Sequence, residues 1–364
     1  MKSPILPDKD VFIQKVAETI REHEMLRDRD AVLVGLSGGP DSVALARVLL
    51  DLQPEFRLRL GLAHLNHMLR GDESVRDENF TIEFSKKCSL PLFTKTLDIG
   101  SMAAESKISL EEAGRKARYS FFRQTAQTHG FSRIALGHNR DDNAEQVLLS
   151  LVRGTGPGGL KGILPKRDSL FIRPLIRMAK SEILDFLDRS NQDFMVDSSN
   201  EDPSFLRNRV RHVLIPFLEE SFNPKIRGSL DRLSRILQEE EDFFRDLVTE
   251  GLRTCLKEEK SGSVSLSLPE LSRLHPALAS RVLRAAISRV KENLKKISMA
   301  HIREIRDFMA RAEPGKHLDL PGRIRIYKTR DRLTVRKEDI SLRDLGRREK
   351  LQTRLSKGKK GPKA

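Results

Sequence analysis

An unbroken apolar run, Ala31-Val32-Leu33-Val34-Gly35-Leu36, delivers the chain into Ser37-Gly38-Gly39-Pro40-Asp41-Ser42, and from Ser42 to Leu52 apolar residues recur at helical spacing. The order is therefore strand, glycine loop, helix. A second run, Leu58 to Ala63, ends at His64-Leu65-Asn66-His67, and a third, Ile134 to Leu136, ends at Gly137-His138-Asn139-Arg140. Helical patterns over Glu73 to Leu90 and Ser109 to His129 separate these runs. Such alternation predicts an α/β fold with a doubly wound, mainly parallel sheet, in which ligands sit past the strand C-termini. A Gly-rich loop from Gly154 to Gly162, a short strand at Phe171 to Leu175 and a helix from about Ala179 follow.

The glycine loop has its own chemistry. A strand entering Ser-Gly-Gly at a helix N-terminus aims several backbone N–H groups at one point, where the helix dipole favours an anion. Gly38 and Gly39 permit close approach, and the Ser37 and Ser42 hydroxyls can donate to phosphate oxygens or cap the helix. Asp41 would repel a bound phosphate unless a cation lay between them, so it is expected to help hold Mg²⁺. No Gly-Lys-Ser or Gly-Lys-Thr follows, so the lysine of a Walker loop is missing and transfer of a terminal phosphoryl group is disfavoured. A tight turn without a ligand would need fewer of these residues.

From Asn223 onward the pattern turns helical, with Ile226, Leu230, Leu233, Leu237, Phe244, Leu247 and Val248 forming one apolar stripe and no strand expected before Val264. Two late strands, His317 to Leu320 and Arg323 to Tyr327, are joined by Pro321-Gly322. The expected domains are 1–215, nucleotide-binding and catalytic; 216–340, smaller and mostly helical, for substrate; and 341–364, a basic tail. The chain of 364 residues carries a net charge of +15, and nine Lys or Arg against two acids place +7 of it in that tail. The excess calls for a polyanionic partner. With no Trp and two Tyr, stacking platforms are few, so phosphate and shape contacts should dominate over base stacking. No apolar run approaches the roughly 18 residues of a membrane span, and a cytoplasmic protein is expected. Cys88 and Cys255 are isolated small hydrophobes without metal-binding spacing, and His64, His67 and His138 lack the partners of a metal site.

Ser-Gly-Gly-x-Asp-Ser resembles the pyrophosphate loop of the N-type ATP pyrophosphatases, which cleave ATP between the α and β phosphates. Three further segments narrow the likeness: His64 to Ser74, Gly137-His138-Asn139-Arg140-Asp141-Asp142-Asn143-Ala144-Glu145, and Arg153 to Leu160. Asp197-Ser198-Ser199-Asn200 and Arg207-Asn208-Arg209-Val210-Arg211 extend it. From about Ala31 to Pro216 the chain is similar to the tRNA(Ile)-lysidine synthetases, with a weaker likeness beyond. That resemblance implies ATP and Mg²⁺ as cofactors and two substrates, L-lysine and a tRNA(Ile) with a CAU anticodon. Its wobble cytidine, position 34, would be adenylated at O2 and then take lysine at C2, releasing AMP and pyrophosphate. No stable protein partner is implied.

The resemblance distributes roles. Ser37, Gly38, Gly39, Pro40, Asp41 and Ser42 would hold ATP, with His64 and His138 contacting nucleotide or fixing loops. Asp142 and Glu145, three apart on a helix face, would receive the lysine, though first-turn acids also balance a helix dipole. Arg118 would stand near the ATP phosphates, while Arg115 reads equally well as a solvated neighbour. Arg207, Arg209 and Arg211, with Arg70, look like a phosphate clamp for tRNA or ATP. Gln146 replaces the family's usual threonine, and where longer members carry a further C-terminal domain only a basic tail is expected after Glu338. The alternatives are a tRNA thiolase of the same superfamily, disfavoured by the lone cysteines, and a tRNA-binding protein with a vestigial nucleotide loop.

Overall fold

The computed structural model describes residues 10–68, 72–196, 205–345 and Arg347. Arg70, the Asp197 to Asn200 motif and most of the basic tail lie outside the described residues. The chain forms two compact units that part between Gln238 and Glu239.

The first unit opens with helix α1 (Val11–Glu22), then β1 (Ala31–Gly35), α2 (Pro40–Phe56), β2 (Arg59–Asn66), α3 (Asp72–Lys87) and β3 (Leu92–Thr96). It continues with α4 (Ile99–Ser106), α5 (Leu110–His129), β4 (Arg133–Ala135), α6 (Arg140–Val152), α7 (Pro157–Leu160), β5 (Lys166–Arg167), β6 (Phe171–Ile172) and α8 (Lys180–Arg189). The sheet order is β3-β2-β1-β4-β6-β5, parallel throughout except for the β5–β6 pair. The fold is thus the doubly wound, mainly parallel α/β sheet that the sequence predicts. Chain order reverses between β1 and β4, so the loops leaving these two strands border one crevice.

β1 is central because all three of its middle side chains, Val32, Leu33 and Val34, are fully buried. Val32 and Val34 belong to the cluster that includes Val43, Leu45 and Leu49 of α2, while Leu33 packs with Phe121, Phe122 and Ile134 on the opposite face. Each such side chain contributes about 1.5–3 kcal/mol through removal from water. Close packing also fixes glycine positions: a Cβ at Gly35 would stand 2.9 Å from Phe122. Cys88 is half-buried against this core rather than fully within it.

After α9 (Leu206–Arg209), a π-helical turn (Val210–Leu214) and α10 (Ile215–Ser221) comes the long helix α11 (Ile226–Cys255). The expected apolar stripe packs only at its start in the first unit, where Ile226 and Leu230 join a core cluster. Leu230 is buried, yet Leu233 is exposed, while Asp231 and Ser234 are buried. The reason is hydrogen bonding: Asn143 Nδ2 donates to Asp231 Oδ1 (3.2 Å), and Ser234 Oγ and Gln238 Nε2 each donate to the Lys161 carbonyl (2.8 Å).

In the second unit β7 (Leu256–Lys260) already precedes Val264, contrary to expectation, and pairs with β8 (Ser263–Ser267). Helices α12 (Leu268–Arg273), α13 (Pro276–Lys291) and α14 (Met299–Arg311) lead to β9 (His317–Leu320), β10 (Ile324–Lys328) and β11 (Arg332–Lys337). The β9–β10 hairpin is the predicted pair, turning at Gly322 with φ +85. The unit thus adds to its helices an antiparallel sheet, β7-β8-β11-β10-β9. β7 escapes sequence patterning because its Lys-Glu-Glu-Lys stretch is exposed at a sheet edge. No helix among the described residues is long and apolar enough to cross a membrane.

Candidate active site

The loop between β1 and α2 is tied from inside. Leu36 N–H donates to the Ala63 carbonyl (2.9 Å), and His64 Nδ1–H donates to the Leu36 carbonyl (2.9 Å). Gly38 adopts φ +88, a value that disfavours any side chain, and its carbonyl accepts from Met195 N–H (2.9 Å). Ser42 Oγ accepts from Ser37 N–H (3.1 Å), donates to the Gly39 carbonyl (2.9 Å) and lies 3.1 Å from Ser37 Oγ. Gly39 caps α2 without a side chain, Pro40 takes the first helical position, and Asp41 sits in the first turn. The result is an anion nest with a carboxylate at its rim. His64 is buried beneath it and supports the loop.

Across the switch point, α6 begins with a capping box. Asn139 Oδ1 accepts from Asp142 N–H (2.9 Å), and Asp142 Oδ2 accepts from Asn139 N–H (3.0 Å). Asn139 Nδ2 then reaches over to Asp41 Oδ1 (2.9 Å), so one asparagine couples the two strand-end motifs. Lys180 Nζ donates to Asp41 Oδ2 (2.7 Å). Burial raises the pKa of Asp41; Lys180 opposes that rise, Asp142 adds to it, and the hydrogen bonds from Lys180 and Asn139 oppose it. Gly137 is required here, since a Cβ would meet the Asp41 backbone carbonyl carbon and oxygen at 2.9 Å.

Asp142 and Glu145 do face one side of α6, and two arginines are already on them. Glu145, 1% exposed, accepts from Arg207 Nε at Oε2 (2.8 Å), from Arg211 Nε at Oε1 (2.5 Å) and from Arg211 Nη2 at Oε2 (3.0 Å). Asp142 Oδ1 accepts from Arg207 Nη2 (2.9 Å) and Arg211 Nη2 (3.3 Å). Burial works against the two guanidinium charges, yet Asp142 and Glu145 outweigh it and raise both pKa values. Arg209 is exposed and stands apart from this quartet.

A third group surrounds His138. Arg173 Nε donates to its Nδ1 (3.3 Å), Arg173 Nη1 to the Leu164 carbonyl (2.6 Å) and Arg173 Nη2 to Tyr119 Oη (3.3 Å). Burial, with Arg173, Arg207 and Arg118 nearby, drives the imidazole pKa well below its usual value, so His138 is neutral at pH 7. Because Nδ1 accepts, the proton resides on Nε2. Arg118, on the exposed side of α5, donates from Nη2 to His67 Nε2 (3.3 Å).

The structure thus gathers Ser37 to Ser42, His64, His138, Asp142, Glu145, Arg207 and Arg211 around the strand ends. It adds Lys180 and Arg173, and it gives contacts to two residues of the Gly137 to Glu145 motif that had no assigned role, Asn139 and an Asp141 that accepts from Lys180 N–H (2.8 Å) and from Arg227 Nη1 (2.8 Å). One signal was available for Lys180, since it opens the helix after a strand of the same sheet. Among the described residues no group of three or more His, Cys, Asp or Glu is arranged to hold a metal. Neither cysteine belongs to the site: Cys88 packs against the first core and Cys255 is buried in the second unit.

Comparisons with known proteins bear on the fold and the family. The PP-loop domain family matches residues 9–218, and the TilS substrate binding domain family matches residues 266–334. The tRNA(Ile)-lysidine synthase of Clostridioides difficile strain 630 is 32% identical over 330 residues, covering 91% of this chain and 71% of that protein. The Geobacter sulfurreducens protein of the same name is 38% identical over 321 residues (88% and 68%), and that of Clostridium perfringens strain ATCC 13124 is 36% identical over 293 residues (80% and 62%). The chain therefore spans some 62 to 71% of the length of these relatives. Among solved structures, the U34-tRNA thiolase NcsA of Methanococcus maripaludis shares the fold, at TM-score 0.51 and 20% identity over 62% of this chain and 79% of that one. With relatives 32% and 38% identical along most of its length, and a PP-loop domain followed by that substrate-binding domain, the chain belongs to the tRNA(Ile)-lysidine synthase family.

Proposed function

We propose that the chain ligates L-lysine to C2 of the wobble cytidine in a tRNA(Ile) with a CAU anticodon, using ATP. The observation that carries this reading is the Asn139 bridge. It sets the nest for a polyphosphate and the acidic pair for an ammonium side by side, as a two-step reaction on one base requires. Cytosine O2 is a poor leaving group. It first attacks the α-phosphorus of ATP, forming an O–P bond while the bond to pyrophosphate breaks. The lysine ε-amine then attacks C2, its proton passes to a base, and AMP leaves with the former O2. The family relationship supports ATP as the nucleotide and tRNA as the substrate.

The nest grips the departing pyrophosphate through backbone N–H groups and the Ser37 hydroxyl, which act where negative charge grows, while Ser42 Oγ ties the loop to the Gly39 carbonyl. His138, neutral and accepting from Arg173 at Nδ1, keeps Nε2–H as a donor that it can offer to the nucleotide without carrying charge. The donor set fits Mg²⁺: the Asp41 oxygens each accept one bond and keep a second lone pair, beside two hydroxyls, and Mg²⁺ is commonly shared with substrate phosphates. Bound there, Mg²⁺ would neutralise phosphate charge. Asp142 and Glu145 take the lysine ammonium in exchange for a guanidinium, and one of them accepts the proton that makes the amine nucleophilic. The substrate-binding domain, within the second unit, holds the tRNA.

The test supplies ATP, Mg²⁺, labelled lysine and the CAU tRNA. Incorporation of label with release of AMP and pyrophosphate is expected, and a tRNA that stays unlabelled would refute the reading. Asp41→Ala should abolish pyrophosphate release, whereas Glu145→Ala should spare it and raise the KM for lysine. Unchanged lysine saturation would remove Glu145 from the lysine site.

A further inference from the structure

The glycine loop lacks a lysine in sequence, yet the fold brings one to it. Lys180 lies 139 positions beyond Asp41, and its Nζ stands 2.7 Å from Asp41 Oδ2. Its backbone is fixed independently, because Lys180 N–H donates to Asp141 Oδ2 (2.8 Å). Asp141 Oδ1 is held in turn by Arg227 Nη1 (2.8 Å), and Arg227 Nε by Glu219 Oε1 (2.8 Å). The side chain is thus launched from a braced position, the first residue of α8, toward the rim of the nest.

Three facts distinguish this ammonium from the other cations nearby. Arg207 and Arg211 are spent on Asp142 and Glu145, and Arg173 on His138, Tyr119 and a carbonyl. Lys180 instead bonds to a residue of the loop itself, in the first turn of α2. Its side chain is 37% exposed, so it remains within reach of an anion arriving from solvent. An ammonium has three donors, and the bond to Asp41 uses one.

We propose that Lys180 supplies the cation that a Walker loop carries in its own sequence. It offsets Asp41 in the empty site and donates to the β and γ phosphates of a bound nucleoside triphosphate. The proposal rests on the reading of the loop as an ATP site. Its function is retained wherever a cation of similar reach is present, and its effect is confined to ligands that contain the pyrophosphate moiety.

The experiment measures equilibrium binding of ATP, inorganic pyrophosphate and AMP to the full chain by calorimetry in excess Mg²⁺, for the wild type, Lys180→Met and Lys180→Arg. The methionine variant keeps the backbone bond to Asp141, and circular dichroism checks its fold. Loss of a charge-assisted bond predicts ATP and pyrophosphate binding weakened about 10- to 100-fold in Lys180→Met, with AMP unchanged and Lys180→Arg within a few-fold of wild type. Wild-type ATP affinity in Lys180→Met overturns the proposal. So does an equal loss for AMP, which would mark a collapsed loop. A wild type that binds neither ATP nor pyrophosphate overturns the ATP reading as well, and so separates the two failures.

Discussion

Replacing Arg211 with methionine tests the acidic pair most directly. Glu145 is almost wholly buried and accepts three guanidinium bonds, two of them from Arg211 and one from Arg207. Removing one partner of a buried ion pair costs about 3–5 kcal/mol. Arg207 remains on both carboxylates and the Arg211 side chain is 32% exposed, which brings the expected loss to about 2 kcal/mol. For a unit of this size that lowers Tm by about 4–8 °C. The same argument fixes the sign of the effect on lysine. In the wild type an incoming ammonium must displace a guanidinium, whereas in Arg211→Met a vacancy of the right charge is open. Lysine affinity should rise by up to about 30-fold, the equivalent of about 2 kcal/mol. At a hundred times its Kd, lysine would then return about 2.7 kcal/mol of stability and restore the lost Tm. Thermal scans across a lysine titration read both effects, with norleucine, which keeps the carbon chain and lacks the ammonium, as the control. An unchanged Tm would mean that the quartet contributes nothing. Equal protection of wild type and variant by lysine would place the ammonium elsewhere.

Other perturbations address the rest of the molecule. Gly137→Ala puts a Cβ 2.9 Å from the Asp41 backbone, which cannot swing aside as a side chain would, so ATP affinity should fall at least about tenfold with a stability loss of about 1–3 kcal/mol; wild-type binding would show that the loop yields freely. His138 has a folded pKa well below its unfolded value, so the unfolded state binds more protons below about pH 6.5 and stability must fall as pH drops from there, by at most about 1.4 kcal/mol per pH unit. His138→Gln should flatten that slope in urea titrations between about pH 5 and 7, and an identical slope would contradict the assignment. In the second unit Lys328 Nζ donates to the Met309 and Ala312 carbonyls, both at 2.6 Å, closing the end of α14. Lys328→Met should cost about 1–3 kcal/mol in chemical unfolding; no loss would mean that water replaces it.

The first sheet and its loop were legible because their signals are local. A continuous apolar run fixes a buried strand, and Gly38 must be glycine where φ is +88. The spacing of Asp142 and Glu145 likewise placed both on one face of α6. The second unit was less legible, since β7 is an edge strand whose side chains face water and carry no alternation. The apolar stripe of α11 was only partly informative for a related reason: hydrophobic periodicity cannot register buried positions that are polar and satisfied, as Asp231 and Ser234 are.

By itself, then, the sequence determined the strand-loop-helix unit, the parallel sheet, and which residue types stand at the strand ends. Only the tertiary structure decided which charges pair. Arg207 and Arg211, expected as a phosphate clamp, lie on the acidic pair, and Lys180 reaches Asp41 from another helix. Pairing depends on where the sheet brings the strand ends together and on burial that makes an unpartnered charge costly. Neither quantity is encoded at any one position in the chain.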